Sequence, residues 1–235
     1  EVYLAHAERI EHEYRYGLEE IAVISAAGLS ELKVGAGPVF HLNWVAGLFA
    51  NLTERYPDLK LDLKTEHTES MGKLLRSGGI DVYLGILAED ELDSSICTKH
   101  VTDIEHGIVL RQDDLISQTN VINPADLVGY RWVSFTIDPV TEKRIEEYTL
   151  PKGSKQSLID IRTTSLATGV QLVKTGQFGM SAPLQLASVV KKEGLIIRPV
   201  LHRMQPRSAG VHVRRSSQGY GAIKTIISYF EHVAV

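Results

Sequence analysis

The 235 residues carry a formal net charge of −4, with Lys and Arg spread along the chain, which excludes the basic footprint needed to grip many phosphates. A single cysteine, Cys97, excludes an internal disulfide framework and a Cys-rich zinc site, and it fits a reducing compartment. No apolar run approaches the roughly 18 to 20 residues that span a bilayer, so the expectation is a soluble chain of one large or two small domains with its own core.

Tyr3, Ala7, Ile10, Tyr14, Gly17, Ile21 and Ile24 alternate steps of four and three residues, which is a heptad seam. The remaining faces are charged, as suits a helix paired along one narrow stripe or laid on its own domain. Glu1 already falls inside this pattern, so a fragment or a processed form is expected. Glu31 to Gly35 then reads as a strand, with Pro38 in the first turn of a helix. That helix shows Val45, Leu48, Phe49, Leu52 and Tyr56 on one face, and Pro57 stops it. Leu59, Leu61 and Leu63 alternate with charges, a half-buried strand. A short helix through Met71, Leu74 and Leu75 ends at Gly78 and Gly79, and Ile80 to Leu87 is a third strand. Crossovers of this kind make a parallel sheet.

Past an irregular segment, 96–103, the style repeats. Strands are expected at Gly107 to Leu110, Trp132 to Phe135, Leu158 to Arg162, Phe178 to Ser181, Leu195 to Leu201 and Val211 to Val213. Helices are expected at Asp138 to Tyr148, Ser165 to Lys174 and Leu184 to Lys192, with a second irregular segment at 202–208. Ile223, Ile226, Ile227 and Phe230 give the last helix its buried face.

"GAGPVF" invites a dinucleotide reading, but Phe40 stands where the fingerprint wants its third glycine. What the turn offers is free amides at a helix start, suited to a carboxylate or sulfate, or simply a plain βα turn. "GMSAP" resembles a nucleophile elbow with Pro183 in place of its last glycine, and nothing in the sequence brings a His and an acid to Ser181. None of the nine histidines has metal-site spacing, so no metal or cofactor is expected. His41 and His67 differ from the rest in falling at strand-to-helix turns, on the edge where open α/β sheets bind ligands. The turns "GPVFH", "EHTES", "SFTID", "TTSL" and "GMSAP" together are rich in hydroxyls, amides and apolar groups and poor in acid–base machinery. Such a set recognises a small polar or anionic molecule rather than turning it over.

The run of a heptad helix, "LKVGAG", "LTERYPDLKLDL" and "LLRSGGIDVYLGI", followed by "ADLVGYRWVSF", "LVKTGQFGMSAP" and "EGLIIRPV", resembles the effector-binding half of LysR-type transcriptional regulators over essentially the whole chain. The resemblance implies an α/β fold of two periplasmic-binding-protein-like (type II) subdomains joined by two hinge crossings and preceded by a linker helix. Its segments would be 1–24 for the linker, 25–98 with 208–235 for subdomain I, and 99–207 for subdomain II. The family's amino-terminal winged helix-turn-helix is absent from this sequence. A cytoplasmic homo-dimer or homo-tetramer is implied, without catalysis and without membrane attachment, that meets promoter DNA only through that missing part. A small effector would sit in a cleft between subdomains, against Val39, Phe40 and His41, His67 and Thr68, Ser134, Phe135 and Thr136, Thr163, Thr164 and Ser165, and Gly179, Met180 and Ser181. The alternative from another class is a solute-binding protein of a transport system with the same fold, which would need no dimerising helix. Asp113 to Leu115 and Phe178 depart from common family residues, and Val39 replaces a usual small hydroxyl, which points to a bulkier or less polar pocket.

Overall fold

The computed structural model describes residues 7, 10, 11, 14, 15, 27–65, 68–87, 94–134, 139–150, 158–201 and 205–233, with backbone alone at 68–70, 139–141, 144 and 233. The chain divides into two compact units, unit 1 from residues 1–102 and 209–235 and unit 2 from 103–208.

Unit 1 is built on strands β1 (Glu31–Ala36), β2 (Lys60–Lys64), β3 (Val82–Gly85), β4 (Ile96–Ile104) and β10 (Arg207–Arg214), in the order β2-β1-β3-β10-β4. β1 pairs in parallel with β2 and β3, while β10 runs antiparallel to β3. Leu32 and Val34 alternate inward from β1 and are fully buried. Leu48 and Leu52 of the helix Val45–Arg55 and Ile223, Ile226 and Phe230 of the helix Gly221–Val233 are buried in the same unit, and the two helices pack on each other. On burial at roughly 1.5 to 3 kcal/mol for each such side chain, this layer supplies much of the unit's driving force. The two helices are also tied by a relay: Thr225 donates to the Gly221 carbonyl at 3.0 Å, which leaves the Tyr56 hydroxyl, 3.0 Å away, to donate to Thr225 Oγ1. A second cluster, Met71, Leu75, Ile80, Tyr83, Leu87 and Ile96, holds the helix Thr68–Ser77 against the same sheet.

Unit 2 is built on β5 (His106–Arg111), β6 (Arg131–Ser134), β7 (Ile159–Arg162), β8 (Phe178–Pro183) and β9 (Leu195–Pro199), in the order β7-β6-β8-β5-β9. β6 is parallel to both β7 and β8, and β5 is antiparallel to β8 and β9. Ile108, Leu110, Trp132, Ile145 and Ile159 lie in one core cluster. Val170 and Val173 of the helix Leu166–Lys174 are buried as well.

Several expectations are corrected here. The segment 96–103 is not irregular: it forms most of the nine-residue β4, an edge strand in which only Ile96, Val101 and Ile104 are buried. Its exposed Thr98, Lys99, His100 and Asp103 break the alternation that would have revealed it. β10 likewise begins at Arg207, earlier than its apolar run. Both sheets are mixed rather than parallel throughout. The helix expected from Pro38 to Tyr56 is two, Pro38–Asn43 and Val45–Arg55, meeting at Trp44. There the Trp44 ring sits edge-on to Phe40 and Phe230, with centroids 5.0 and 6.0 Å away. Leu63 is 38% exposed, because β2 is an edge strand with one open face. In the amino-terminal helix, Ala7, Ile10 and Tyr14 are helical and exposed, while Tyr3, Gly17, Ile21 and Ile24 lie outside the described residues.

Candidate functional site

Unit 1 brings the ends of β1 and β3 together at the turn that opens "GPVFH". Gly37 donates its amide to the Leu84 carbonyl at 2.8 Å, and its own carbonyl accepts from the amides of Phe40 and His41. Pro38 then starts the short helix where a missing N–H costs nothing. A Cβ on Gly35 would stand 2.8 Å from both Ile80 Cδ1 and Met71 Sδ, so this glycine makes room for the neighbouring helix, not for a phosphate. Val39 and Phe40 turn inward and are buried at 4% and 1% exposure. Phe40 completes the aromatic group with Trp44 and Phe230, which leaves its ring in the core rather than on the open edge.

His41 is half-buried, and its Nδ1 is buried without a formed hydrogen bond. Burial lowers its pKa, opposed in part by the Gly37 and Ala36 carbonyls, which lie near enough to favour the charged ring but outside bonding geometry. The imidazole is therefore held neutral with one nitrogen unspent. Thr68 opens the helix Thr68–Ser77, with its side chain outside the described residues, as are His67, Phe135 and Thr136.

Unit 2 gathers hydroxyls. The registers Trp132↔Gly179 and Val133↔Met180, continued by one residue, set Ser134, the last residue of β6, beside Ser181, two residues before the end of β8. Ser134 also lies opposite Arg162, and its carbonyl accepts the Thr163 amide at 2.9 Å, so the ends of β6 and β7 are clamped. In the following turn Thr163 Oγ1 accepts from the Ser165 amide at 3.1 Å, and Ser165 Oγ caps the helix Leu166–Lys174 by accepting from the Thr168 amide at 3.2 Å. Both hydroxyl oxygens are thus used as acceptors, and each keeps its hydrogen to donate outward. Thr164 is exposed between them. Arg162, the cation at this edge, is held by both oxygens of Glu142 at 2.9 Å, which raises its pKa and consumes its charge locally. Glu142 is a contact that spacing in the sequence gave no means to find.

Along β8, Met180 and Ser181 point to opposite faces. Met180 is fully buried and Ser181 is 4% exposed, yet Ser181 Oγ has no hydrogen-bond partner. A buried hydroxyl left unpaired costs on the order of 1 to 3 kcal/mol, so a polar guest is favoured there. Gly179 lies under the rings of Tyr130 and Trp132, 3.5 and 3.7 Å from where its Cβ would be. β8 continues to Pro183, which places Ser181 inside a strand. A nucleophile elbow would need it on a sharp turn, so the catalytic reading of "GMSAP" fails on geometry. Among the described residues no group of three or more His, Cys, Asp or Glu could hold a metal, and no helix is long and apolar enough to cross a membrane.

The chain that folds into these two five-stranded mixed sheets matches the family model of the LysR substrate binding domain over residues 27–234. The chain belongs to that family. It is 24% identical over 158 residues to the HTH-type transcriptional activator AaeR of Escherichia coli K12, a match covering 67% of this chain and 48% of that protein. Quorum-sensing regulator A of E. coli O157:H7 matches to the same extent. The chain thus spans about half the length of these curated relatives. Among solved structures, the effector binding domain of QuiR in complex with shikimate superposes with a TM-score of 0.69 at 15% identity, covering 87% of this chain and 96% of that one. The BenM effector binding domain with benzoate gives 0.66 at 15%, covering 86% and 93%. A LysR-family regulator from Pseudomonas aeruginosa gives 0.69 at 14%, covering 97% and 80%. At these identities the likeness is one of fold, and it is the two-subdomain type II fold of LysR effector-binding domains.

Proposed function

We propose that this LysR-type domain senses a small organic acid or similar polar effector and passes its presence on to a DNA-binding part that lies outside this sequence. The observation that carries the reading is the Ser181 hydroxyl, buried and unpaired beside Ser134, with the Thr163 and Ser165 hydroxyl hydrogens at the next strand end. Neutral donors without a free cation recognise a carboxylate or carbonyl oxygen by hydrogen bonding. On unit 1, His41 and Thr68 are the groups we assign to effector contact. QuiR and BenM, bound to shikimate and benzoate, support an acid of that size. The reading assigns no catalytic step and no cofactor, and it keeps a homo-dimer or homo-tetramer assembled through the amino-terminal helix, whose Ile10 and Tyr14 are 71% and 69% exposed.

A thermal-shift screen of small organic acids, shikimate and benzoate included, should find compounds that raise the melting temperature, because a ligand that binds only the folded form stabilises it. Titration calorimetry of the best compound should then show Ser181→Ala weakening binding by roughly five- to tenfold, about 1 to 1.4 kcal/mol for one neutral hydrogen bond. Thr68→Val should weaken it by a smaller factor. A screen without hits, or equal affinities for wild type and Ser181→Ala, would overturn the assignment.

A further inference from the structure

The carboxyl end of the helix Thr68–Ser77 is tied down by side chains from three other segments. A helix leaves its last carbonyls without partners inside it. Here Gly78, at φ 78°, turns the chain in the left-handed region that an L side chain resists, and the Leu75 carbonyl of the last turn together with those of Gly78, Gly79 and Ile80 just beyond it meet three cations from three separate segments. Arg214 Nη1 donates to the Leu75 and Ile80 carbonyls at 2.9 and 2.6 Å, while its Nη2 pairs with Asp81 at 2.8 Å. Lys64 Nζ lies 3.4 Å from the Gly79 carbonyl. The third donor is Arg15 of the amino-terminal helix, whose Nη2 reaches the Gly78 carbonyl at 3.1 Å, half-buried. The negative end of the helix dipole favours all three.

We propose that this knot is the docking surface for the chain's own amino-terminal helix, that Arg15 is the positioning residue that fixes that helix on unit 1, and that the helix Thr68–Ser77 mechanically links the two. The helix is a ten-residue rod, about 15 Å long at 1.5 Å per residue. Met71 and Leu75 are fully buried against the sheet, so the rod moves as one piece or not at all. One end is Thr68, on the edge assigned above to the effector; the other is the Gly78 carbonyl held by Arg15. Arg214 and Asp81 bolt the far end to β10 and β1, since Asp81 also accepts the Lys33 amide at 2.9 Å and returns its own amide to the Lys33 carbonyl at 2.7 Å. A shift at the Thr68 end therefore tilts the rod about this bolt and re-aims the Gly78 carbonyl, altering the angle at which Arg15 holds the amino-terminal helix. The role of this link as a signal path rests on the sensor reading; the docking itself does not.

The test needs no ligand. Spin labels on Glu11→Cys and Lys73→Cys, both exposed positions, in a Cys97→Ser background and diluted with unlabelled chain, report the distance between the two helices. The expected result is a narrow distribution in the parent, a broadened one in Arg15→Ala, and a narrow one again in Arg15→Lys, which keeps a donor. Coupling is reciprocal, so Arg15→Ala should also speed hydrogen exchange several-fold at the amides of Gly72 and Lys73, which close the opposite end of the rod. An unchanged distribution in Arg15→Ala, or equal broadening in the Ala and Lys variants, overturns the docking. Broadening without any change in exchange at Gly72 and Lys73 overturns the rod. Neither outcome depends on whether an effector is found, so the sensor reading fails or stands separately.

Discussion

In unit 1 the turn after β1 buries Val39 and Phe40 and packs Phe40 against Trp44 and Phe230, whereas in unit 2 the strand ends present Ser134, Thr163, Ser165 and a buried, unpaired Ser181. Each edge follows from the same parallel βα geometry, yet one has been filled with apolar packing and the other left polar. The packed edge keeps His41 Nδ1 as its buried unsatisfied group, while the polar one sets Ser181 Oγ among further hydroxyls that a guest can satisfy. Their buried charges divide the same way. Unit 1 holds a buried ion pair, Arg214 with Asp81, at 10% and 8% side-chain exposure, whereas Arg162 of unit 2, paired with Glu142, is 54% exposed.

The largest effect should come from breaking the first of these. Arg214→Ala removes the partner of a buried carboxylate and two carbonyl bonds at once, at a cost of about 3 to 5 kcal/mol. Arg162→Ala, which deletes an exposed cation of equal formal charge, should cost less than about 1 kcal/mol. Urea denaturation of both variants measures the difference, and similar midpoints would show that burial does not separate the two units.

A smaller change of opposite sign sharpens the contrast between the edges. Ser181→Ala removes a hydroxyl that has no partner in the unliganded protein, so without ligand it should leave the folded state as stable as before or more stable by up to about 1 kcal/mol. Loss of affinity with gain of stability in one variant is the signature of a binding group. Destabilisation by Ser181→Ala would mean that the hydroxyl is satisfied in the free protein, and the carrying observation would be lost.

The parallel half of each sheet was legible because its strands are flanked by helices whose apolar residues recur with a 3.6 period, and Pro38, Pro57 and Gly78 punctuate them. The antiparallel β4 and the first half of β10 were not, because an edge strand needs only one apolar face and β4 spends its other positions on Thr98, Lys99 and His100. The candidate site was legible as a set of turns and no further. Position in the turn does not say which way Phe40 faces; that was decided by Trp44 and Phe230, the latter from a helix 190 residues later in the chain. Ser181 was closer to reach, since the period of two along β8 already sets it opposite Met180.

The finest distinction concerns histidines. His212 on β10 is 3% exposed, with Nε2 at 3.0 Å from the Gly85 carbonyl and Nδ1 at 2.9 Å from Thr98 Oγ1. A carbonyl only accepts, so Nε2 carries the hydrogen and Nδ1 accepts from Thr98 in the neutral ring. Burial lowers the pKa of His212 below its ordinary 6.5, against a smaller rise from the Gly85 contact. The unfolded chain therefore takes up a proton first as the pH falls, so stability drops as the pH passes below 6.5 toward the lower folded value. His41 is lowered by the same cause and adds to the slope with the same sign. Urea midpoints followed from about pH 7.5 to about pH 5.5 should fall in the parent protein, and His212→Gln should flatten the decline without abolishing it. Equal slopes in the two proteins would assign the whole dependence to other groups and leave His212 as a pH-insensitive link among β3, β4 and β10.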